Sequence, residues 1–552
     1  VHEDLRAGRL RLLYVAPERL AGERFVASLA GRNIALLAVD EAHCISEWGH
    51  NFRPDYLKIA ELARRLHIPR VLALTATATP TVAHSIVRAF RMDAEAIVNT
   101  GFYRSNLRLE VNTSRERVAA LMERIRHRPP GSTIVYVTLQ RTAEDVAERL
   151  AEGGVPARAY HAGLAPEIRT DVQDWFMGSP RAVVVATIAF GMGIDKSDIR
   201  YVYHYNLPKS LENYAQEIGR AGRDGKPSVC ELFLSHEDVT VLENFVYGDT
   251  PTAEGLTTLV EALLSQPETF DVLLTDLSSQ SDIRPLVVET VLTYLELEGI
   301  LQSTGPFYSS YKLQLTLPRE EVLAHFDTQR RAFLERLLGQ ARPGTRWLNL
   351  DVDKASATLG EPRTRLVNAI NYLEEKGWMT VQVAGVRQGY RRLQLPDVEA
   401  AVGTLIDRFE AREHGDLRRI EQVVQLATTE SCLAHRLWGY FGDDSVKTCG
   451  NCSRCAGHLP PPRPAPRAVD EGRIAYAIGA LPPSPALASP RQKARYLCGL
   501  ASPMASRERL TRDPMFGALG QVPFHVVLAT AVACEPLEPG GVGAGGAGSR
   551  GG

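Results

Sequence analysis

The sequence predicts an α/β protein with two parallel-sheet lobes, the first of them incomplete, followed by winged-helix modules and a helical subdomain that carries four cysteines. Three observations lead to this prediction. Short apolar strands alternate with helices from residue 101 to 235, which is the pattern of a parallel sheet. A helix that ends in glycine occurs twice between residues 250 and 396, and four of the eight cysteines lie between Cys432 and Cys455.

Composition places the chain among globular proteins. Apolar residues make up 44% of the 552 positions and charged residues 23%, which is too apolar for a disordered chain. The formal net charge of -2 neither supports nor excludes nucleic acid as a partner. The sequence has no apolar run long enough for a membrane span and no signal-peptide pattern. We therefore expect a cytoplasmic protein, nucleoid-associated if bacterial, with no membrane partner and with protein partners left open.

The first candidate site is a pair of adjacent carboxylates, Asp40 and Glu41, which follows the apolar run 34–39. Parallel sheets bind ligands beyond the carboxyl ends of their strands. There Asp40 can hold Mg²⁺ through water, and Glu41 can orient or deprotonate a water that attacks a nucleotide. These two roles together would support nucleotide hydrolysis, although an isolated acidic pair is more often a solvated strand end.

Residues 1–100 are predicted to form part of the first lobe. We expect a strand at 10–15 and another at 71–74, the second of which runs into a Thr-rich segment at 75–80. The phosphate-binding string G-x-x-x-x-G-K-[ST] does not occur in the 552 residues. We therefore expect this chain to bind ATP poorly, either because an upstream part is missing, which we favour, or because the chain is a degenerate copy.

Residues 101–235 are predicted to form a complete second lobe, in which strands and helices alternate. The expected strands are 133–137, 157–160 and 183–186, and the expected helices are 143–150 and 166–176.

Two further features of this lobe favour phosphate binding. Gly191 and Gly193 flank Met192 and let the backbone approach a phosphate or a nucleic-acid strand. Arg220 and Arg223 are three positions apart, so both can face one side of a helix and reach a γ-phosphate across a cleft. A solvated basic helix is the alternative, although it does not explain the glycines around these arginines.

Three runs of this sequence resemble the RecQ family of DNA helicases. They read DEAHCISEWGHNFRPDY at 40–56, ATIAFGMGIDK at 186–196 and QEIGRAGRDG at 216–225, and the likeness extends almost without a gap over residues 10–235. The resemblance implies two RecA-like lobes, ATP hydrolysis, and translocation along single-stranded DNA in the 3′ to 5′ direction.

The resemblance also implies roles for individual residues. The implied catalytic residues are Asp40, Glu41, His43, Thr75, Thr77, Gln216, Arg220 and Arg223. Arg223 would be the arginine finger, while His43, Thr75 and Thr77 would couple hydrolysis to lobe closure. The implied cofactor contacts are Asp40, Gly193, Asp195, Arg220 and Arg223. The implied DNA contacts are Trp48, His50, Phe52, Arg53 and Thr187.

The region after the second lobe contains an internal repeat. The run Leu292 to Gly299 recurs as Ile370 to Gly377, 78 positions later (370 - 292). Both copies have helical apolar spacing, end at a capping glycine and precede a two-strand pattern. This order predicts tandem winged-helix modules, with a helical connection and the first module at 236–325 and the second at 326–396. Such modules bind DNA or mediate contacts, and we favour DNA.

The hairpin predicted in the second module carries Arg387, Tyr390, Arg391 and Arg392. Tyr390 could stack on a base while arginines such as Arg391 bind phosphate. The hairpin could therefore separate DNA strands, and an ordinary wing with solvated arginines is the alternative.

The cysteine cluster predicts a metal site. Cys449-x-x-Cys452-x-x-Cys455 supplies three thiols, and Cys432 lies 17 positions before Cys449 (449 - 432), which gives four ligands for a tetrahedral Zn²⁺. An iron–sulfur cluster and unligated cysteines are the alternatives. The segment 397–459 resembles the RecQ zinc-binding subdomain. In that family the winged helix commonly follows the cysteines, whereas the modules precede them here.

The end of the chain offers no recognisable chemistry. A Pro-rich linker is predicted at 460–490, and a Gly-rich disordered tail at 535–552. Between them, residues 491–534 are predicted to form a small helical unit with Met515, Phe516 and Phe524 in its core.

These observations lead to one main hypothesis and two rivals. The main hypothesis is a RecQ-like, ATP-dependent 3′ to 5′ DNA helicase of repair or recombination, which uses ATP, Mg²⁺ and Zn²⁺ and acts on single-stranded and forked duplex DNA. The first rival is an ATP-independent winged-helix and zinc protein that binds DNA. The second is a DEAD-box RNA helicase, against which the aromatic loop and the cysteines argue.

Overall fold

The computed structural model describes residues 4–5, 8–21, 23–46, 55–191, 194–344, 347–463 and 470–535. Its α-helices are, in chain order, α1 (Glu23–Leu29), α2 (Asp55–Arg65), α3 (Pro80–Phe90), α4 (Arg117–His127), α5 (Gln140–Glu152), α6 (Pro166–Gly178), α7 (Leu211–Ile218), α8 (His236–Asp249), α9 (Ala253–Leu264), α10 (Leu274–Ser281), α11 (Pro285–Leu297), α12 (Arg319–Ala324), α13 (Thr328–Gly339), α14 (Val352–Leu359), α15 (Arg363–Glu375), α16 (Val398–Ala427), α17 (Leu433–Tyr440), α18 (Glu471–Gly479), α19 (Pro490–Leu497), α20 (Pro503–Arg507) and α21 (Phe524–Ala533).

The strands form three sheets. They are, in chain order, β1 (Leu37–Val39), β2 (Val71–Ala73), β3 (Leu107–Asn112), β4 (Ser132–Tyr136), β5 (Ala157–Tyr160), β6 (Val183–Ala186), β7 (Ile199–His204), β8 (Ser228–Phe233), β9 (Thr269–Val272), β10 (Leu301–Leu315), β11 (Arg342–Pro343), β12 (Leu348–Asp351) and β13 (Met379–Arg392).

The chain divides into two compact units. The first unit gathers Val1–Val39, Arg53–Ala73 and Ala253–Asp407, and the second gathers Asp40–Phe52, Leu74–Thr252 and Arg408–Gly552. The division therefore separates the acidic pair, which clusters with the second unit, from the strand that leads into it. Within the part of the chain that the structure describes, no helix has the length and apolar character needed to cross a membrane.

The second unit contains the predicted second lobe. Its six strands are parallel and follow the order β3-β8-β7-β4-β6-β5. The prediction of alternating strands and helices is confirmed, and β5 and β6 have the expected bounds. Central strands are covered on both faces, so their side chains are apolar in succession: Ile134, Val184 and Val202 are all 0% exposed.

The first unit begins with a two-stranded parallel sheet. Strands β1 and β2 pair in register from Leu37 and Val71 onward. The strand predicted at 10–15 is wrong, because no described segment pairs with these residues, and Leu12 and Tyr14 are 67% and 89% exposed. An apolar run without a partner strand has no ladder to satisfy its backbone groups.

The tandem repeat forms one shared sheet rather than two hairpins. Each copy contributes one long strand, and these strands, β10 and β13, pair antiparallel from Leu301 and Arg392 to Leu315 and Met379. Strand β9 of the first copy pairs with β13, while β12 of the second copy pairs with β10. The copies therefore exchange strands. The capping glycines are confirmed, since Gly299 and Gly377 have φ angles of 69° and 72°.

This arrangement shows that the strand-separating hairpin expected in the second module is wrong. Strand β10 leads into α12 and β13 follows α15, so no tight turn joins these two long strands. Tyr390 is only 6% exposed and packs 6.1 Å from Phe270, between ring centroids, so it is not available to stack on a base. Arg387 forms an ion pair with Asp271, whereas Arg391 is exposed.

The C-terminal helices form their own apolar core in the second unit. Phe524 is 0% exposed, and Met515 and Phe516 pack against the same cluster, as predicted. Helix α18 lies inside the segment that was predicted to be a linker, because Ile474 and Ile478 face this core. The predicted disordered tail, apart from its first residue, lies outside the described residues.

Candidate functional site

The acidic pair lies immediately after β1 in a tight turn. Glu41 has a φ of 50°, in the left-handed region that residues other than glycine adopt infrequently. Its backbone N–H donates to Oδ1 of Asp40 at 2.9 Å. The Glu41 carboxylate therefore projects from a constrained turn, and its Oε1 lies 3.4 Å from Nε2 of Gln216 on α7.

His43 connects the acidic pair to the Thr-rich segment. The His43 side chain is 2% exposed, and its Nδ1 lies 3.1 Å from Oγ1 of Thr75 and 3.2 Å from Oε2 of Glu41. Burial disfavours the imidazolium, but hydrogen bonds with Cys44 and with the Glu41 carboxylate outweigh burial and raise the pKa of His43 to about 9. This raised pKa favours the imidazolium form of His43 beside the Glu41 carboxylate.

The backbone reinforces this connection. The N–H of Ala42 donates to the carbonyl of Leu74 at 2.9 Å. The N–H of Thr77 donates to Oγ1 of Thr75 at 3.3 Å, and Thr77 is 3% exposed. The structure thus brings Thr75 and Thr77 close to Glu41 and His43, which lie more than 30 positions earlier in the sequence.

The two candidate arginines follow α7. Arg220 donates through Nη1 to the carbonyl of Gly191, in the loop after β6. Nη1 of Arg223 lies 2.7 Å from Oδ1 of Asp195, and these side chains are 40% and 89% exposed. Arg223 and Asp195 therefore form a solvated ion pair. A phosphate can replace Asp195 as the partner of Arg223 at little energetic cost.

The remaining predicted DNA and cofactor contacts are only partly described. Thr187 follows β6, and its N–H donates to the carbonyl of Tyr160 at 3.2 Å. The other residues predicted to contact DNA or phosphate in these loops lie outside the described residues, namely Trp48, His50, Phe52, Arg53 and Gly193.

The four predicted metal ligands form a compact cluster. All four sulfur atoms, from Cys432, Cys449, Cys452 and Cys455, lie within 4.8 Å of one another. The Cys449–Cys455 and Cys432–Cys452 sulfur distances are 3.8 and 3.9 Å. Tetrahedral thiolates at about 2.3 Å from one Zn²⁺ are about 3.8 Å apart, so the cluster fits zinc.

Backbone amides surround the sulfur atoms. The N–H groups of Cys449, Cys452 and Cys455 donate to Cys432, Cys449 and Cys452, at 3.3, 3.3 and 3.4 Å. Burial opposes ionisation of Cys452, but the N–H groups of Cys455 and Leu433 and the thiols of Cys455 and Cys449 outweigh burial and lower the pKa of Cys452 to about 7, while burial raises the pKa of Cys449. A thiolate is the form that binds zinc. A bound Zn²⁺ would join α17 to the loop that follows it.

Sequence reasoning missed the residues that hold α7 and the zinc segment (residues 432–455, from the first to the last clustered cysteine) in place. Nε2 of His204 lies 2.6 Å from Oε2 of Glu217, and the Tyr440 hydroxyl donates to Oε1 of Glu212 at 2.7 Å. The Asp443 carboxylate accepts two backbone N–H groups near residue 102. The partners of Tyr440 and Asp443 are 228 and 341 positions away, so no local pattern identifies them.

Three family models match the chain over the segments described above. The model described as DEAD/DEAH box helicase matches residues 2–85, and the model described as Helicase conserved C-terminal domain matches residues 116–225. The model described as RecQ zinc-binding matches residues 397–456. The strand-exchanged repeat and the C-terminal helices lie outside these matches.

Several curated proteins are similar to this chain. ATP-dependent DNA helicase RecQ of Bacillus subtilis (strain 168) is 44% identical over 238 residues, which are 43% of this chain and 40% of that protein. RecQ-like DNA helicase BLM of Xenopus laevis is 43% identical over 246 residues, 43% of this chain and 18% of that protein. ATP-dependent DNA helicase RecQ of Pasteurella multocida (strain Pm70) is 39% identical, over 45% of this chain and 39% of that protein. The chain spans less than half the length of these relatives.

Proposed function

We propose that this chain, as a member of the RecQ helicase family, forms part of an enzyme that hydrolyses ATP to unwind DNA. The names of the relatives from Bacillus subtilis and Pasteurella multocida support this proposal. The family matches also support it, because they cover the segments that hold the acidic pair, the arginines and the cysteines.

The observation that carries the proposal is the contact between Glu41 and Gln216, at 3.4 Å. It brings the water-activating carboxylate next to the helix that precedes Arg220 and Arg223. A γ-phosphate beside these groups would meet a base on one side and guanidiniums on the other, which is the arrangement that phosphoryl transfer requires.

The residues present fit two of the three parts of an ATP site. Asp40 would hold Mg²⁺ through water, and Glu41 would orient the attacking water. The third part, a phosphate-binding loop of the form G-x-x-x-x-G-K-[ST], does not occur in the 552 residues. We propose that hydrolysis requires such a loop in addition to these residues, and that the 552 residues alone hydrolyse ATP poorly.

The finer features of the activity follow from the family resemblance. We propose 3′ to 5′ movement along single-stranded DNA, unwinding of forked duplexes, and a role in DNA repair or recombination at the site of the DNA, in the nucleoid if the cell is bacterial. Zn²⁺ would hold the cysteine segment together and take no part in hydrolysis.

Two forms of the protein test this proposal: the 552-residue chain, and the same chain fused at its N-terminus to a segment that supplies the phosphate-binding loop. We expect the fused form to show DNA stimulation of ATP hydrolysis of about tenfold or more and to unwind forks with a 3′ tail. Fork binding that is independent of nucleotide in both forms, without hydrolysis, would instead support the ATP-independent DNA-binding protein.

A further inference from the structure

Helix α7 contains two buried carboxylates that are held by different parts of the second unit. Glu217 is 7% exposed and its Oε2 lies 2.6 Å from Nε2 of His204, at the end of β7 in the parallel sheet. Glu212 is 3% exposed and accepts its hydrogen bond from the zinc segment. The helix is therefore fixed to the sheet at one carboxylate and to the zinc segment at the other.

The contact with the zinc segment is made by Tyr440. Its hydroxyl donates to Oε1 of Glu212 at 2.7 Å. Oε2 of Glu212 has no hydrogen-bond partner among the described atoms, so the phenol is the partner that stabilises this carboxylate. A buried carboxylate with one hydrogen-bond partner depends strongly on that partner.

The position of Tyr440 is itself well defined. It is the last residue of α17, a helix whose N-cap is the predicted zinc ligand Cys432. Three residues later, Oδ2 of Asp443 accepts the backbone N–H groups of Phe102 and Tyr103 at 2.7 and 3.3 Å. The ring of Phe102 also stacks on Trp438 of α17, with 6.3 Å between centroids. The end of α17 is thus anchored next to Tyr440.

The other partner of this contact, Glu212, lies on the helix that precedes the arginines of the candidate ATP site. Glu212 and Gln216 are four positions apart, so their side chains lie on one face of α7. Gln216 reaches Glu41, and Arg220 and Arg223 follow the helix directly. A displacement of α7 would therefore move the groups that face the nucleotide.

We propose that Tyr440 is a positioning residue through which the zinc segment fixes α7, and with it Gln216 and the two arginines, in the geometry for ATP hydrolysis. This inference rests on the proposed ATPase function. Tyr440 contacts no reacting atom. Its hydroxyl holds the Glu212 carboxylate, and that carboxylate sets where α7 lies against α17.

The direct test replaces Tyr440 with Phe in the form that carries the phosphate-binding loop. We expect kcat for DNA-stimulated ATP hydrolysis to fall about fivefold to tenfold, while KM for ATP stays within about twofold. Hydrogen exchange of the α7 amides should accelerate about fivefold or more, because local opening becomes easier. Zinc content should not change. Tyr476→Phe is the matched control, since Tyr476 is 78% exposed on α18.

A second substitution separates positioning from loss of folding. Glu212→Gln removes the buried charge, so Tyr440→Phe/Glu212→Gln should recover most of the kcat and the slow α7 exchange that Tyr440→Phe loses. Unchanged α7 exchange and unchanged kcat in Tyr440→Phe would overturn the inference, as would a loss that Glu212→Gln does not relieve. Absence of hydrolysis in the parent form would overturn the proposed function instead, and the exchange measurement would still test the contact.

Discussion

Gln216 and Glu41 are 175 positions apart in the sequence, yet Nε2 of Gln216 lies 3.4 Å from Oε1 of Glu41. This distance is longer than an ordinary N–H···O hydrogen bond, so the contact is weak and easily opened. The Gln216 amide therefore lies beside the Glu41 carboxylate without a strong hydrogen bond to it. We interpret Gln216 as a group that transfers its hydrogen bond to the attacking water or the phosphate when ATP is bound.

Gln216→Ala should lower kcat for DNA-stimulated ATP hydrolysis about tenfold, because it removes a donor that orients the reacting groups. Gln216→Glu should lower it further, since a second carboxylate would lie beside Glu41. Both effects are measured by steady-state kinetics of the form that is fused to the phosphate-binding loop, here called the loop-supplied form. Gln173→Ala, a change at a half-buried glutamine on α6, is the control. Equal activity of Gln216→Ala and the control would contradict the assignment.

Arg223→Ala should lower kcat about a thousandfold while leaving thermal unfolding unchanged, because an arginine finger acts on transition-state charge. Its pair with Asp195 is solvated and contributes about 0–1 kcal/mol to folding. Arg141→Ala removes another solvent-exposed ion pair, with Asp145 on α5, and should leave kcat unchanged. A loss of less than about threefold in Arg223→Ala would exclude the finger role.

Cys452→Ser should abolish stoichiometric zinc binding and lower the unfolding temperature of the second unit. The four sulfur atoms lie within 4.8 Å of one another and would share the metal, and structural zinc contributes folding free energy directly. Metal analysis and calorimetry measure the two effects. Cys534→Ser changes an exposed thiol outside the cluster and should alter neither. Full zinc content in Cys452→Ser would show that the metal lies elsewhere.

The charge of His43 predicts a pH dependence of stability. Its pKa is raised from 6.5 to about 9, so its contribution is complete below pH 6.5 and is lost as pH rises through 9. Thermal unfolding of His43→Gln should therefore differ most from that of the parent below pH 6.5, and the difference should shrink towards pH 9. Gln173→Ala, which changes no ionisable group, should show no such trend. A difference in unfolding temperature between His43→Gln and the parent that grows with pH would contradict this prediction.

The sequence was sufficient for the second lobe and for the composition of the site. An apolar run bounded by turn residues located β6, because central parallel strands are buried on both faces. The spacing of the cysteines located four sulfur atoms that lie close together. In these cases the information is local, within a few residues of each element.

The sequence was insufficient where the partner of an element is distant. Residues 301–315 and 379–392 have strand patterns, but alternation does not say which strand pairs with which, so two hairpins were expected where one exchanged sheet forms. The same limit applies to Tyr440 and Glu212, since each is unremarkable in its own segment. Tertiary packing alone makes them partners.

The central claim is that Glu41 activates the water that attacks ATP, next to the arginines that follow α7. Glu41→Gln in the loop-supplied form tests it most directly, because the amide keeps the shape of the side chain and removes the base. We expect ATP and forked DNA to bind within about threefold of the parent, with hydrolysis reduced about a hundredfold or more. Hydrolysis within a few-fold of the parent would contradict the account.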